Sequence, residues 1–137
     1  MKKKIAVFGS GWSEEYLRQV LTGIQSRAAG SQIDIYAFFN YSSGPNETPD
    51  NAGERVIFTL PDMSMFDGAI VLGNTINIAS EREYIRSKIL ELGIPVGVAL
   101  NKRDVNEKKE TRFAAEKLSQ KLGCPVVNTV STSAKGL

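Results

Sequence analysis

Short runs of apolar residues alternate along the chain with stretches in which apolar residues recur every three or four positions. The short runs have the length of β-strands, and the stretches between them have the period of amphipathic helices. Most of the runs are nearly continuous, which is typical of parallel strands covered on both faces. The pattern therefore predicts an α/β fold whose strands occupy about residues 4–8, 33–39, 69–72, 96–100 and 126–130.

Capping residues mark where the predicted helices begin and end. Ser80 and Glu83 form an S-x-x-E capping box, and Gly93 is placed to end the same helix. Ser13 is predicted to cap an earlier helix, with acidic residues in its first turn. Two further helices are predicted over about residues 52–60 and 107–122.

Right-handed connections between five strands predict one parallel sheet with the order 2-1-3-4-5. This is the flavodoxin-like arrangement, a doubly wound sheet in three layers. The chain has 137 residues, of which 42% are hydrophobic and 23% charged. These values predict a single domain over residues 1–137.

Composition excludes several classes of chemistry. The sequence contains 0 His and 1 Cys, which excludes imidazole-based triads, His-rich metal sites and an internal disulfide, so we expect no metal site. A net charge of +2 with both signs interspersed gives no basic stripe for nucleic acid. No apolar run reaches the length of a membrane span, so we expect no membrane association and a cytoplasmic setting.

The carboxyl ends of parallel strands are the usual place for ligands in such a sheet. The first of these ends carries Gly9-Ser10-Gly11, but Glu14 stands where a dinucleotide-binding loop needs its third glycine. The phosphate-loop pattern G-x-x-x-x-G-K-[ST] is also absent, so we interpret the glycines as a tight turn. The candidate small-ligand residues at the strand ends are Ser10, Trp12, Tyr41, Asn74 and Thr75.

Two further strand ends carry motifs that read guanine. Asn101-Lys102-Arg103-Asp104 has the form N-K-x-D, in which the Asp carboxylate accepts two hydrogen bonds that guanine can donate and adenine cannot. The S-A-K sequence after the next strand matches the second guanine-contacting loop of GTP-binding domains, in which N-K-x-D is the first. The candidate nucleotide-binding residues are Asn101, Lys102, Asp104, Ser133, Ala134 and Lys135.

The stretch from about residue 94 to residue 137 resembles the G domain of ferrous-iron transport protein B. The resemblance lies in PVGVALNKRDV at 95–105, in LGCPVV at 122–127 and in the S-A-K loop. It implies guanine recognition by the two motifs. The cofactor expectation is none, or GDP and GTP held weakly.

The first two thirds of the chain resemble a different protein family. IAVF at 5–8, NYSS at 40–43, FDGAIVL at 66–72 and Asn74-Thr75 resemble the N-terminal lobe of periplasmic-binding-protein-like sensor domains of the lactose-repressor type. The two resemblances meet near residue 95. They imply a recombined or engineered chimera of a sensor half-lobe, residues 1–95, and a G-domain fragment, residues 96–137.

Neither half has a complete site in this interpretation, so the expected function is a non-enzymatic scaffold. Weak guanine-nucleotide binding without hydrolysis is the first alternative. A small-ligand-binding half-lobe that forms a homodimer is the second. Acid–base catalysis has no candidate, because Asp62 and Asp67 are interpreted as turn and capping residues.

Overall fold

The computed structural model describes residues 1–12, 14–41, 53–93, 95–100 and 115–128. The chain forms two compact units, Met1–Ile94 and Pro95–Leu137. Each unit contains a small sheet of parallel strands. The α/β class predicted from the apolar pattern is therefore confirmed.

The first unit holds a three-stranded sheet with β1 in the centre and the order β2-β1-β3. Ser10 at the end of β1 lies opposite Asn40 of β2, and Phe8 lies opposite Val71 of β3. The elements of this unit are β1 (Lys3–Ser10), α1 (Glu15–Ala28), β2 (Ile33–Asn40), β3 (Gly68–Val71) and α2 (Ala79–Glu91), with two 3-10 helices at Val56–Phe58 and Met63–Met65.

The core of the first unit lies on both faces of β1. Successive side chains of a strand point to opposite faces, and those of β1 are apolar on each. On one face Leu17 of α1 packs close to Gly9. On the other face the ring of Phe8 stacks on Phe38 at 5.4 Å and meets Phe58 at 6.4 Å between ring centroids. A continuous apolar strand is thus buried from both sides.

The second unit pairs β4 (Val98–Leu100) with β5 (Val126–Asn128), and α3 (Ala115–Leu122) connects back to β5. The two strands are parallel, with Val98 opposite Val126 and Leu100 opposite Asn128. Gly123 ends α3 with φ +67°, a conformation that glycine adopts without strain. The Ser119 hydroxyl donates to the Cys124 carbonyl at 2.8 Å and fixes the turn into β5.

Two details of the predicted fold differ from the structure. The prediction of one five-stranded sheet is not confirmed, because the described strands form a three-stranded and a two-stranded sheet. Within those sheets the neighbours 2-1-3 and 4-5 do occur. The short helix predicted over residues 52–60 is a helical turn at 53–55 followed by the 3-10 helix.

The predicted capping box of α2 is wrong. The helix begins at Ala79 with Ile78 as its N-cap, so Ser80 lies inside the first turn and makes no capping bond. Glu83 pairs instead with Arg86 at 3.1 Å. Arg82 of the first turn reaches back to the Ile76 carbonyl, just before the helix. Gly93 ends the helix with φ +63°, as predicted, while the predicted cap Ser13 lies outside the described residues.

Candidate functional site

Polar residues gather at the carboxyl end of the three-stranded sheet. Ser10, Asn40 and Thr75 are the polar side chains that are buried in the described part of the chain, and all three lie at this end. The large side chains that are buried elsewhere in the described part of this unit are apolar. This end of the sheet is therefore the place in the first unit where polar chemistry is built into the fold.

The end of β1 is locked to the loop after β3. The Ser10 amide donates a buried hydrogen bond of 3.0 Å to the Thr75 hydroxyl, which itself donates to the Leu72 carbonyl at 2.7 Å. The Trp12 amide donates to the Asn40 carbonyl at 3.1 Å. The backbone amides of Ser10 and Trp12 are thus paired within the protein.

The aromatic side chains at this end are exposed. The Trp12 side chain, 44% exposed, lies 5.7 Å from the ring of Phe39 between centroids. Tyr41 is 63% exposed, and its amide donates to a carboxylate oxygen of Glu54 at 3.1 Å. The structure therefore shows Trp12 packing on the strand end.

The five small-ligand candidates come together at one edge, but several of them already bond within the protein. Ser10 and Thr75 are bonded to each other. The side-chain amide of Asn74 donates to the Tyr16 hydroxyl at 3.2 Å, which ties the loop after β3 to α1. These contacts give each of these polar residues a structural role, and a ligand role for them stays a prediction.

The glycines of the first loop are explained by packing and backbone geometry. A Cβ atom at Gly9 would lie 3.0 Å from the ring of Phe39 and 3.1 Å from the side chain of Leu17. Gly11 has φ +85°, which other residues rarely adopt. The interpretation of these glycines as a tight turn is therefore supported without reference to a ligand.

Asn40 is a residue that the sequence analysis missed. Its side-chain oxygen is buried without a hydrogen-bond partner among the described residues. The available signal was its position, since it is the first polar residue after the apolar run of β2. A buried amide at a strand end is uncommon enough to mark an ordered polar site.

Asp62 and Asp67 have the structural roles predicted for them. Asp62 accepts from the Ser64 hydroxyl at 2.7 Å and from its amide at 3.0 Å, and these bonds hold the pKa of its carboxyl below the ordinary value. Asp67 accepts from the Lys4 amide at 2.8 Å. Across the described ranges there is no cluster of three or more metal-ligating side chains, and no helix long and apolar enough to cross a membrane.

In the second unit, the structure describes the strands that precede both guanine motifs. Leu100 and Asn128 are opposite each other at the ends of β4 and β5, so the two strands end at the same edge of the sheet. The sequence that follows β4 directly is N-K-x-D, and S-A-K comes shortly after β5. The six candidate nucleotide-binding residues lie outside the described residues: Asn101, Lys102, Asp104, Ser133, Ala134 and Lys135.

Comparison with known proteins gives one family. The family described as ferrous iron transport protein B matches residues 50–137. The Fe(2+) transporter FeoB of Salmonella typhimurium is 50% identical over 54 residues, and that of Escherichia coli strain K12 is 48% identical over 54 residues. Each match covers 39% of this chain and 7% of the transporter, so the chain matches a small part of these relatives.

Solved structures of the same protein class have a similar fold. NFeoB from S. thermophilus bound to GDP·AlF4⁻ and K⁺ superposes with a TM-score of 0.52 at 24% identity, covering 98% of this chain and 57% of the other. A point mutant of the same NFeoB bound to GDP gives a TM-score of 0.51 at 21% identity, covering 99% and 57%. At these identities the similarity shows the fold alone.

The chimera hypothesis finds no support in these comparisons. The family match begins at residue 50, well before the expected junction near residue 95, and nothing supports a sensor-type N-terminal part. Parallel βα units of unrelated families share buried apolar strands and small polar loops, so local similarity does not identify a family. The apparent sensor half-lobe reflects this shared pattern.

The prediction that the chain is not an enzyme is wrong. It gave decisive weight to the missing phosphate loop, whereas the comparisons identify a class of GTPase domains. The expectation of a non-enzymatic scaffold is therefore unsupported as well. Guanine-nucleotide binding, the first alternative, is the better supported function.

Proposed function

The chain belongs to the ferrous iron transport protein B family, and from this we propose that it is a G domain that binds guanine nucleotides through its N-K-x-D and S-A-K loops and hydrolyses GTP. The base would be read by Asn101, Lys102 and Asp104 together with the loop from Ser133 to Lys135. The ligands are GDP and GTP.

The observation that carries this proposal is the register of β4 and β5. Leu100 lies opposite Asn128, so the residues that follow both strands start from neighbouring positions at one edge of the sheet. Neighbouring strands are about 4.8 Å apart. Two loops that begin this close, one with N-K-x-D and one with S-A-K, can approach the same base from two sides.

Each motif residue has a task set by its chemistry. The Asp104 carboxylate would accept hydrogen bonds from the N1–H and the 2-amino group of guanine. The Asn101 amide would bond N7 and brace the loops, and the aliphatic stem of Lys102 would cover one face of the base. The Ala134 amide would donate to O6. Adenine lacks this combination of donors and acceptor, so the site would select guanine.

Hydrolysis of GTP by this chain is expected to be slow. Phosphoryl transfer depends on positioned cations around the phosphates, and P-loop GTPases supply one of them from the Lys of the first strand-end loop. In this chain that loop carries Glu14 and Glu15 in place of the final Gly and Lys of the pattern. Release of phosphate from GTP over hours, compared with the Asp104→Ala variant, measures this activity.

Calorimetric titration with GDP tests base recognition. Asp104→Ala should weaken binding at least tenfold, because two charge-assisted hydrogen bonds are lost. Asp34→Ala is a matched control, since Asp34 pairs with Lys2 in the other unit and should leave the affinity unchanged. ADP should not compete.

A change of specificity makes this test sharper. Asp104→Asn replaces an acceptor with a donor, so the variant should lose GDP and bind xanthosine diphosphate, whose C2 carbonyl accepts that hydrogen bond. Unchanged GDP affinity in both Asp104 variants would show that the proposed function is wrong.

A further inference from the structure

We propose that the carboxyl end of the three-stranded sheet binds a small aliphatic amine in its protonated, ammonium form. The site is formed by Trp12, Asn40, Tyr41 and Glu54, which all belong to the first unit. The proposal does not depend on guanine recognition, which is proposed for the loops that follow β4 and β5. It rests on three features that meet at one strand end: an unpaired acceptor, exposed aromatic rings and negative charge.

The peptide group between Asn40 and Tyr41 joins the residues of the site. Its carbonyl oxygen accepts from the Trp12 amide at 3.1 Å, and its N–H donates to a carboxylate oxygen of Glu54 at 3.1 Å. The carbonyl and the N–H of a trans peptide point in opposite directions. Trp12 and Glu54 are therefore held on opposite sides of one peptide, and the side chains of Asn40 and Tyr41 branch from its two ends.

Asn40 contributes a hydrogen-bond acceptor that the protein does not use. The residue is 7% exposed, and its side-chain oxygen is buried without a hydrogen-bond partner among the described residues. Most buried polar atoms in proteins are paired, because an unpaired one loses its bond to water and gains nothing in return. This oxygen needs a donor, so it favours a ligand that carries N–H or O–H groups over an anion.

The aromatic side chains at this strand end favour a positive charge. Trp12 is 44% exposed and Tyr41 is 63% exposed. The indole ring is held in place by Phe39, whose ring centroid lies 5.7 Å away. The face of an aromatic ring carries partial negative charge and attracts a cation within about 6 Å, most strongly when the ring is tryptophan. Among ligands with N–H groups, these rings select an ammonium ion.

The charged groups around the site favour the same ligand. The half-buried carboxylate of Glu54 accepts one backbone hydrogen bond and has acceptor positions for further donors. Glu14 and Glu15 lie at the start of α1 and offset the positive end of its dipole. Between β1 and Glu54 the sequence has two cations: Arg18, which pairs with Glu15, and Arg27, in the last turn of α1. An ammonium ion is attracted here and an anion is repelled.

Three ligands that differ only in the head group test the proposal. Butylamine, trimethylbutylammonium and 1-butanol are titrated into the nucleotide-free full chain, followed by calorimetry and by the fluorescence of Trp12, the single tryptophan. Butylamine should bind and shift the fluorescence. Trimethylbutylammonium keeps the charge but has no N–H donor, so it should bind at least tenfold more weakly, and 1-butanol should not bind. No response to butylamine at about 10 mM, or equal affinity for any two of the ligands, would overturn the proposal.

Two matched substitutions test the role of the carboxylate. Glu54→Gln keeps a side-chain oxygen for the Tyr41 amide and removes the charge, so butylamine should bind at least tenfold more weakly. Glu83→Gln removes an exposed carboxylate from α2, where Glu83 pairs with Arg86, and should leave the affinity unchanged. An equal loss in both variants would show that the amine responds to overall charge, which also overturns the site.

Asn40→Leu separates binding from stability. Leucine has a similar shape and no polar atom, so the variant should unfold at a urea concentration no lower than that of the wild type. It should nevertheless bind butylamine at least tenfold more weakly, because the unpaired acceptor is gone. Unchanged affinity would overturn the proposed role of Asn40. If this variant does not fold, the Glu54→Gln and Glu83→Gln pair still decides.

Discussion

Gly9, Ser10 and Thr75 make the close contacts that hold the end of the three-stranded sheet together. Gly9 gives α1 and β2 room to approach, because its missing Cβ would contact Phe39 and Leu17. The Ser10 backbone amide donates to the Thr75 hydroxyl, which in turn donates to the Leu72 carbonyl. At the residue scale this loop is therefore built from packing and internal hydrogen bonds.

Gly9→Ala should destabilise the protein by about 1–3 kcal/mol, since a methyl group there forces the neighbouring side chains to shift. Urea unfolding measures the effect. Gly23→Ala is the matched control: Gly23 lies inside α1 with nothing within 4 Å of its Cβ position, so alanine should stabilise by about 0.5–1 kcal/mol. Equal effects of the two substitutions would contradict the packing argument.

Asp62 should titrate below the ordinary range of an aspartate, because the hydroxyl and amide of Ser64 donate to its ionised form and lower its pKa. The stabilisation is therefore present above the unfolded-state pKa and is lost as pH falls through the folded-state value. NMR detection of the Asp62 carboxyl carbon measures this directly. Ser64→Ala should raise the midpoint, whereas Ser87→Ala, whose hydroxyl contacts the Tyr84 carbonyl, should not.

Helix α2 shows at the element scale how a narrow apolar stripe positions a helix. Ile85 and Ile89, one turn apart, are buried, while most of the remaining surface is polar or exposed. The Arg55–Glu81 ion pair, 2.9 Å long and mostly shielded from solvent, joins its first turn to the preceding segment. These tertiary contacts explain why a local S-x-x-E pattern did not decide where the helix begins.

Ile85→Ala should cost about 2–5 kcal/mol of unfolding free energy, because the side chain is 2% exposed and its removal leaves a cavity. Leu90→Ala on the same helix is the control, since Leu90 is 51% exposed and should change stability by less than about 0.5 kcal/mol. Thermal and urea denaturation of both variants checks this. A small effect at position 85 would refute the assigned core.

At the scale of the whole molecule, the family match begins in the middle of the segment that forms the three-stranded sheet. The match covers residues 50–137, but β3 pairs with β1, which precedes that range. The central strand and its partner β2 therefore belong to the part of the chain with the least recognisable sequence. The structural similarity to solved G domains nevertheless covers 98% of the chain.

A fragment of residues 50–137 should therefore fold poorly, because β3 would lose the strand it pairs with and expose its apolar face. A fragment of residues 1–94 keeps the three-stranded sheet together with α1 and α2, and should retain cooperative unfolding and the near-ultraviolet signal of Trp12. Circular dichroism of the two fragments compares them. Cooperative unfolding of the 50–137 fragment would contradict the conclusion that β3 needs β1 as its partner strand.

The apolar pattern and the position of Gly93 by themselves determined the class of fold, the approximate span of every described strand and the glycine end of α2, because these depend on short-range periodicity and backbone geometry. The motifs also determined where to look for guanine recognition. Local sequence could not separate a sensor lobe from a G domain, since both present the same βα pattern.

The tertiary structure decided what distant residues do to one another. It paired the Ser10 amide with the Thr75 hydroxyl, 65 positions away, so that this backbone donor is already used within the protein. It set Leu100 opposite Asn128, so that the two strands that precede the guanine motifs end at neighbouring positions. It also fixed the start of α2 through contacts outside the helix. Each of these depends on packing between elements, which no window of neighbouring residues contains.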